Sequence, residues 1–161
     1  MPSPTDTTSI DDVPLPALLR HARFAYSISV RQELAAAGFD DLPANGPYVL
    51  GGLVNRGGSA AELIRQLGVS KQAASRLVDA LVANGYLERS GDPEDRRRTI
   101  LTATERGEAA AGATSAGVAE VDQRLERTLG QPALAALREG LVALIDVADE
   151  LRGDLAADED D

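Results

Sequence analysis

Along most of this chain, apolar side chains recur every three to four residues, which is the spacing of one face of an α-helix. The first run predicts a helix over residues 14–37, which ends at Gly38. A shorter run predicts a helix over residues 47–55, and two later runs predict long helices over residues 104–129 and 133–151. The pattern therefore predicts a mainly helical fold with long helices near both ends of the chain.

Two short helices with a tight turn between them are predicted in the middle of the chain. Ser59 and Glu62 have the spacing of a capping box, in which each side chain bonds a free amide at the helix start. Gly68 gives the backbone the freedom that a sharp turn needs, and Ser70 is a good N-cap for the next helix. This arrangement is typical of a helix-turn-helix.

The second of these helices has an apolar face and a polar face. Its inward stripe is predicted at Ala74, Leu77, Val78 and Leu81. The N-terminal end of a recognition helix lies at the base edges of the major groove, where Arg, Gln and Ser side chains find hydrogen-bonding partners. The alternative is an ordinary solvated helix face. The DNA-reading candidates on this helix are Ser70, Lys71, Gln72, Ser75 and Arg76.

A β-hairpin with a charged tip is predicted after this helix, which Gly85 ends as a C-cap. Short strands are predicted over residues 86–89 and 99–102, and the segment SGDPEDRRR connects them. Arg side chains on such a wing can enter the minor groove, where narrow A·T-rich DNA attracts them. The alternative is a solvated charge cluster that blunts an edge strand. The candidates at the tip are Asp95, predicted to orient an arginine, and Arg96, Arg97 and Arg98.

Residues 59–107 resemble the MarR family of bacterial transcription regulators. The wing of that family has a D-x-R within a DPEDRR-like run, then a return strand and L-T-E-x-G. Asp95 and Arg97 match the first motif, and ATERG at residues 103–107 matches the second. Ala103 stands where the family usually has Leu, and Ile64 where most helix-turn-helix motifs have a small residue. The resemblance implies a winged helix-turn-helix with a small β-hairpin wing and long N- and C-terminal dimerisation helices.

This resemblance also implies a function, which is a sequence-specific DNA-binding regulator. More specifically, the resemblance implies a ligand-responsive repressor that binds a palindromic operator in double-stranded DNA as a homodimer. The resemblance implies a pocket for a small aromatic or phenolic ligand between the dimerisation helices and the DNA-binding lobe. His21, Arg23 and Tyr26 are the polar candidates to line it, with the alternative that they are surface or core residues. The competing function is a winged-helix protein-interaction module without DNA binding.

Five segments are expected along the chain. They are a mobile arm at 1–13, the first dimerisation helix at 14–38, the DNA-binding lobe at 44–103, the C-terminal dimerisation helices at 104–152, and an acidic tail at 153–161 that is disordered from Ala156. The stretch GEAAAGATSAG at residues 107–117 is a poor helix on propensity alone. Because small side chains let another helix approach closely, we expect a packed interface or a hinge there, with a linker as the alternative.

Charge is distributed unevenly in this acidic chain. The net charge of −10 argues against nucleic acid at first sight. Residues 56–106, however, hold 9 Lys or Arg against 7 Asp or Glu, a net of +2 that leaves −12 for the rest. Because physiological salt screens charges beyond about 8 Å, the local balance should decide contact with phosphates.

Composition excludes several other classes of protein. The chain has no Cys, which excludes disulfides, Cys-based zinc sites and a thiol switch. Without a signal peptide or an apolar run long enough to span a bilayer, it is expected to be cytoplasmic and to have no membrane partner. His21 is the only His, and the sequence has no nucleophile motif, metal-ligand cluster or phosphate loop. We therefore expect no enzyme activity, no cofactor and no metal.

Overall fold

The computed structural model describes residues 13–56, 59–91 and 99–159. In these residues the elements follow in the order α1 (Leu15–Ala36), α2 (Gly46–Arg56), α3 (Ala60–Gln66), α4 (Lys71–Ala83), β1 (Leu87–Gly91), β2 (Thr99–Ala103), α5 (Glu105–Leu129) and α6 (Gln131–Glu159). The strands form one antiparallel hairpin. The predicted fold class, mainly helical with a small hairpin wing, is confirmed. The chain divides into two compact units, Met1–Val121 and Asp122–Asp161.

The first unit has one apolar core that α4 shares with the hairpin and with α1, α2, α3 and α5. The stripe predicted on α4 is confirmed, since Leu77 and Leu81 are buried and Ala74 and Val78 pack against the core. The buried residues of this cluster are Leu34, Val49, Leu50, Ala60, Ile64, Leu77, Leu81, Tyr86, Leu87, Ala110 and Ala111. The outer face of α4 is thereby fixed relative to the hairpin.

The small residues of α5 form a packed face within the first unit. A Cβ added at Gly117 would lie 2.6 Å from the Cα of Val30, so the backbones of α5 and α1 are in contact there. A Cβ added at Gly107 would lie 2.1 Å from the carbonyl oxygen of Tyr86. Residues 107–117 are therefore helical and closely packed, because their lack of side-chain bulk admits neighbouring backbone.

The predicted starts of the two short helices are confirmed. The hydroxyl of Ser59 accepts a hydrogen bond from the amide of Glu62 at 3.2 Å, and that of Ser70 accepts one from the amide of Ala73 at 3.3 Å. Each bond satisfies an amide that has no partner inside its helix. Between the helices Gly68 has a φ of +64°, a conformation that L side chains rarely adopt.

The second unit contains the end of α5 and the whole of α6. A guanidinium nitrogen of Arg138 lies 3.1 Å from a carboxylate oxygen of Asp122, which ties the two helices together. Several large apolar side chains of α6 are exposed in the single chain, namely those of Leu137, Leu141, Val142, Leu144, Ile145, Val147 and Leu151. Among the described residues, no helix is both long and apolar enough to cross a membrane.

Two predicted boundaries are wrong. The sequence pattern assigns Tyr86 to the first strand, but its amide bonds the carbonyl of Leu81 at 2.8 Å while the amide of Gly85 bonds that of Val82 at 3.0 Å. These are the two bonds of a Schellman cap, so Tyr86 belongs to the end of α4 and the strand begins at Leu87. Disorder is expected from Ala156, but α6 continues to Glu159. Ala156 and Ala157 are strong helix formers and favour this extension.

Candidate nucleic-acid interface

The outer face of α4 presents the polar side chains that the sequence singles out. Gln72, Ser75 and Arg76 are exposed and lie on the side of the helix opposite Leu77 and Leu81. Spacings of three and four residues place the three polar side chains next to one another. The structure therefore brings together a hydrogen-bonding stripe of the kind that can read base edges.

Lys71 and Ser70 lie at the N-terminal end of the same helix. Lys71 is exposed in the first turn of α4, and Ser70 is the N-cap residue, with its hydroxyl bonded to the amide of Ala73. The free amides and partial positive charge of a helix N-terminus favour an anion such as a phosphate. These two residues are therefore candidates for contact with a phosphate.

The hairpin continues directly from the end of α4. Leu87 pairs with Ala103, Glu88 with Thr102, and Arg89 with Leu101. Because successive side chains of a strand point to opposite faces, Arg89 lies on the same face as buried Leu87. A guanidinium nitrogen of Arg89 lies 2.6 Å from a carboxylate oxygen of Asp79 on α4. The tip candidates Asp95, Arg96, Arg97 and Arg98 lie outside the described residues.

Three side chains that the sequence reasoning did not select hold the root of the hairpin. The hydroxyl of Tyr86 donates to Asp41 across 2.5 Å, and a guanidinium nitrogen of Arg106 lies 2.8 Å from the same carboxylate oxygen. The guanidinium of Arg106 also stacks over the Tyr86 ring at 4.7 Å from its centroid, and over that of Phe39 at 5.5 Å. We call Asp41, Tyr86 and Arg106 the hinge cluster.

The hinge cluster connects segments that are far apart in the chain. Asp41 lies in the loop between α1 and α2, Tyr86 lies at the end of α4, and Arg106 lies in the first turn of α5. Within the sequence, Arg106 occupies the variable position of the T-E-x-G motif, so the motif itself carried no signal for it. A Tyr directly after a helix-ending Gly was the available signal, because a buried phenol needs a polar partner.

The pKa values in the hinge cluster follow from its contacts. The hydrogen bond from Tyr86, together with the guanidinium of Arg106, holds the pKa of the Asp41 carboxyl below its usual value. Burial raises the pKa of the Tyr86 phenol, and the hydrogen bond to Asp41 raises it further. Asp41 is therefore a carboxylate, and Tyr86 a neutral donor, throughout the neutral pH range.

The T-E-x-G motif has a structural role at the root of the wing. The hydroxyl of Thr104 donates to the carbonyl of Gly85 at 2.5 Å and accepts from the amide of Gly107 at 3.1 Å. Thr104 thus caps α5 and at the same time joins it to the end of α4. Gly107 has no side chain to collide with the Tyr86 carbonyl, so α5 can begin directly beneath the hairpin.

The three residues proposed to line a ligand pocket all lie on α1. Arg23 lines an open cavity of about 340 Å³ along α1, together with Arg20, Phe24 and Ser27. His21 and Tyr26 are not among these lining residues. His21 is exposed, and its Nδ1 lies 2.8 Å from the carbonyl oxygen of Ala17 one turn earlier, whereas Tyr26 is half-buried.

Comparisons with known proteins identify relatives of this arrangement. Residues 41–98 match the model of the MarR family, whereas no curated protein matches the chain. MarR, whose crystal structure is known, shares 26% sequence identity with this chain. The alignment covers 91% of this chain and 98% of that chain, with a TM-score of 0.71. The transcriptional regulator Tm0710 from Thermotoga maritima is 27% identical, with coverages of 85% and 95% and a TM-score of 0.54. The MepR–DNA complex from S. aureus is 19% identical, with coverages of 84% and 98% and a TM-score of 0.68.

Proposed function

We propose, since the chain belongs to the MarR family of winged helix-turn-helix regulators, that it is a sequence-specific DNA-binding transcriptional regulator. The observation that carries this proposal is the exposed stripe of Gln72, Ser75 and Arg76 on α4. Gln pairs with adenine, Arg with guanine, and Ser with either base. A relative of the same fold, MepR, has been solved in complex with DNA.

The proposed contacts divide between bases and backbone. Gln72, Ser75 and Arg76 read base edges in the major groove, while Lys71 and the helix start at Ser70 contact phosphates. The wing reaches the flanking minor groove through Arg96, Arg97 and Arg98, and Asp95 orients Arg97. The net positive charge of residues 56–106 supports these contacts, because it gives this part of an acidic chain its own attraction for phosphates.

A selection experiment tests DNA binding directly. The full chain is mixed with a pool of random duplexes, bound duplexes are recovered, and the affinity for the selected duplex is measured over a range of salt concentrations. We expect one sequence with two half-sites, and an affinity that falls with salt with a slope of about −0.9 for each phosphate that the protein neutralises. Recovery of no preferred duplex would instead favour the winged-helix protein-interaction module.

The same proposal includes a homodimer on a palindromic operator. Exposed apolar side chains occur along α6, and also on α1 at Leu15, Phe24 and Ile28. Exposed apolar side chains on a helix favour an interaction site, and a second copy of this chain supplies the same surfaces through a two-fold axis. Sedimentation at micromolar concentration should give twice the 16.8 kDa chain mass. A monomer that still binds a palindrome tightly would contradict the dimer.

The proposed regulator is a repressor whose DNA affinity responds to a small aromatic or phenolic anion. The cavity on α1 supports this ligand class, since Arg20 and Arg23 supply positive charge and Phe24 an aromatic ring. Benzoate, an aromatic anion, is the test ligand. It should raise the melting temperature of wild type and weaken the binding of wild type to the selected duplex, and Arg23→Ala should reduce both effects. Repression is tested with a reporter promoter that overlaps the selected duplex, where the protein should lower expression.

A further inference from the structure

The DNA-facing stripe of α4 contains one residue whose charge opposes DNA. Asp79 is the only acidic residue of α4, and it lies four residues after Ser75 and three after Arg76. Its carboxylate is exposed on the same face as these side chains. There it would repel phosphates, and it lies within reach of the Arg76 guanidinium because residues three apart on a helix are neighbours.

The hairpin supplies a partner for this carboxylate. Arg89 lies two residues after buried Leu87, so alternation along the strand directs it to the side on which α4 packs. Its guanidinium nitrogen lies 2.6 Å from the Asp79 oxygen. The pair is shorter than the exposed ion pair between Arg65 and Glu62 on α3, which measures 3.6 Å, and it links two elements rather than two turns of one helix.

We propose that Arg89 is a positioning residue for base reading. It neutralises Asp79 on the DNA-facing stripe, and it holds that carboxylate away from Arg76 so that the Arg76 guanidinium stays available for a base. The inference rests on the proposed DNA-binding function. Since the ion pair is exposed, its contribution to folding is small, and its main effect falls on the neighbouring charges within the screening length.

The test is a cycle of four proteins on the selected duplex and on a random duplex of the same length. The four are wild type, Arg89→Gln, Asp79→Asn and the double variant. Arg89→Gln should weaken binding to the selected duplex by about tenfold per half-site, the effect of removing one hydrogen-bonded base pairing, and should affect the random duplex much less. Asp79→Asn alone should bind nearly as well as wild type.

The double variant distinguishes the proposal from a merely structural role. It lacks the ion pair just as Arg89→Gln does, but it has no carboxylate at position 79 that could pair with Arg76. It should therefore recover most of the affinity that Arg89→Gln loses. Arg138→Gln is the matched control, because it removes an exposed, ion-paired arginine of α6, and it should leave specificity unchanged.

Each remaining outcome has a definite meaning. A double variant as weak as Arg89→Gln would show that Arg89 contacts DNA or supports the fold, and would overturn the proposal. Equal weakening on the selected and random duplexes would overturn it too. If wild type binds a selected duplex, any of these failures concerns Arg89 alone. If wild type selects no duplex, the proposed function fails and this inference fails with it.

Discussion

The phenolic oxygen of Tyr86 lies 2.5 Å from a carboxylate oxygen of Asp41, and this contact joins the end of α4 to the loop after α1. The ring of Tyr86 is buried in the core shared by α4 and the hairpin, while its hydroxyl reaches the partly exposed Asp41–Arg106 pair. The hydroxyl, which is the one polar group of this buried side chain, also accepts a hydrogen bond from a guanidinium nitrogen of Arg106 at 3.2 Å. A polar contact at the edge of the core therefore helps to hold the end of α4 and the hairpin against the loop after α1.

Tyr86→Phe should lower thermal stability without changing the packing of the ring. It removes a hydrogen bond to a carboxylate and should lower the melting temperature by roughly 2–4 °C. Tyr48→Phe is the matched control, since the Tyr48 hydroxyl donates to Gln66 at 3.1 Å from an exposed position. Thermal melting followed by circular dichroism checks both variants. Equal melting temperatures for Tyr86→Phe and wild type would contradict a stabilising role for this hydrogen bond.

Acid should weaken the hinge cluster through Asp41. Because its pKa is lowered in the folded state, its contribution to the free energy of unfolding is fully present above the unfolded value, about 3.9. It is lost as pH falls through the lower folded value. Urea titrations from pH 6 downwards should therefore show wild type losing its advantage over Asp41→Asn below about pH 4. Parallel pH profiles for the two proteins would contradict this.

The hinge cluster also shows where sequence reasoning stops. Periodicity located the described helices, apart from the C-terminal end of α6, because apolar spacing is a local property of the chain. The capping residues Ser59 and Ser70 were found for the same reason. Asp41 and Arg106 are 65 residues apart, and no local pattern pairs them. The assignment of Tyr86 to a strand was wrong because the apolar and polar residues from Tyr86 onwards alternate as they do in a strand. The amide of Tyr86 instead bonds the carbonyl of Leu81 in a Schellman cap, which depends on the conformation of Gly85.

Glycine at position 117 should be required where glycine at position 112 is not. Gly117→Ala places a Cβ against backbone atoms of Val30 and Ser29 at 2.6–3.0 Å, and such overpacking should cost about 1–3 kcal/mol. Gly112 lies on the same helix with nothing within 4 Å, so Gly112→Ala should stabilise by about 0.5–1 kcal/mol through helix propensity. Urea unfolding of both variants provides the measurement. A stabilised Gly117→Ala would mean that the two helices are further apart than described.

The candidate site was predictable in part. Gln72, Ser75 and Arg76 follow from helical spacing alone, since an inward stripe at Leu77 and Leu81 leaves them outside. The ion pair of Asp79 with Arg89 was not predictable, because it depends on how the hairpin folds back against α4. The ligand-pocket residues stay a prediction. Of the three proposed, Arg23 lines the open cavity on α1, and a helix pattern by itself does not say which polar residues border a cavity.

Arg76→Ala should relax base choice at one position of each half-site. Arg76 is exposed on α4, opposite the buried Leu77 and Leu81, where a guanidinium can bond guanine through two hydrogen bonds. Removing this bidentate pairing should cost about 1–3 kcal/mol on the selected duplex. A duplex that already carries another base at that position should be bound almost equally by the variant and wild type, because the pairing is absent there from the start.

Lys71→Ala is the control for this substitution. It removes one positive charge from the same helix, but from the N-terminal turn, where a phosphate contact is proposed. It should weaken the selected, substituted and random duplexes alike and reduce the salt slope by about 0.9 for each phosphate that is no longer neutralised. The measurement is a binding titration of wild type and both variants on all three duplexes. If Arg76→Ala follows the same uniform pattern as Lys71→Ala, Arg76 contacts the backbone, and base reading falls to Gln72 and Ser75.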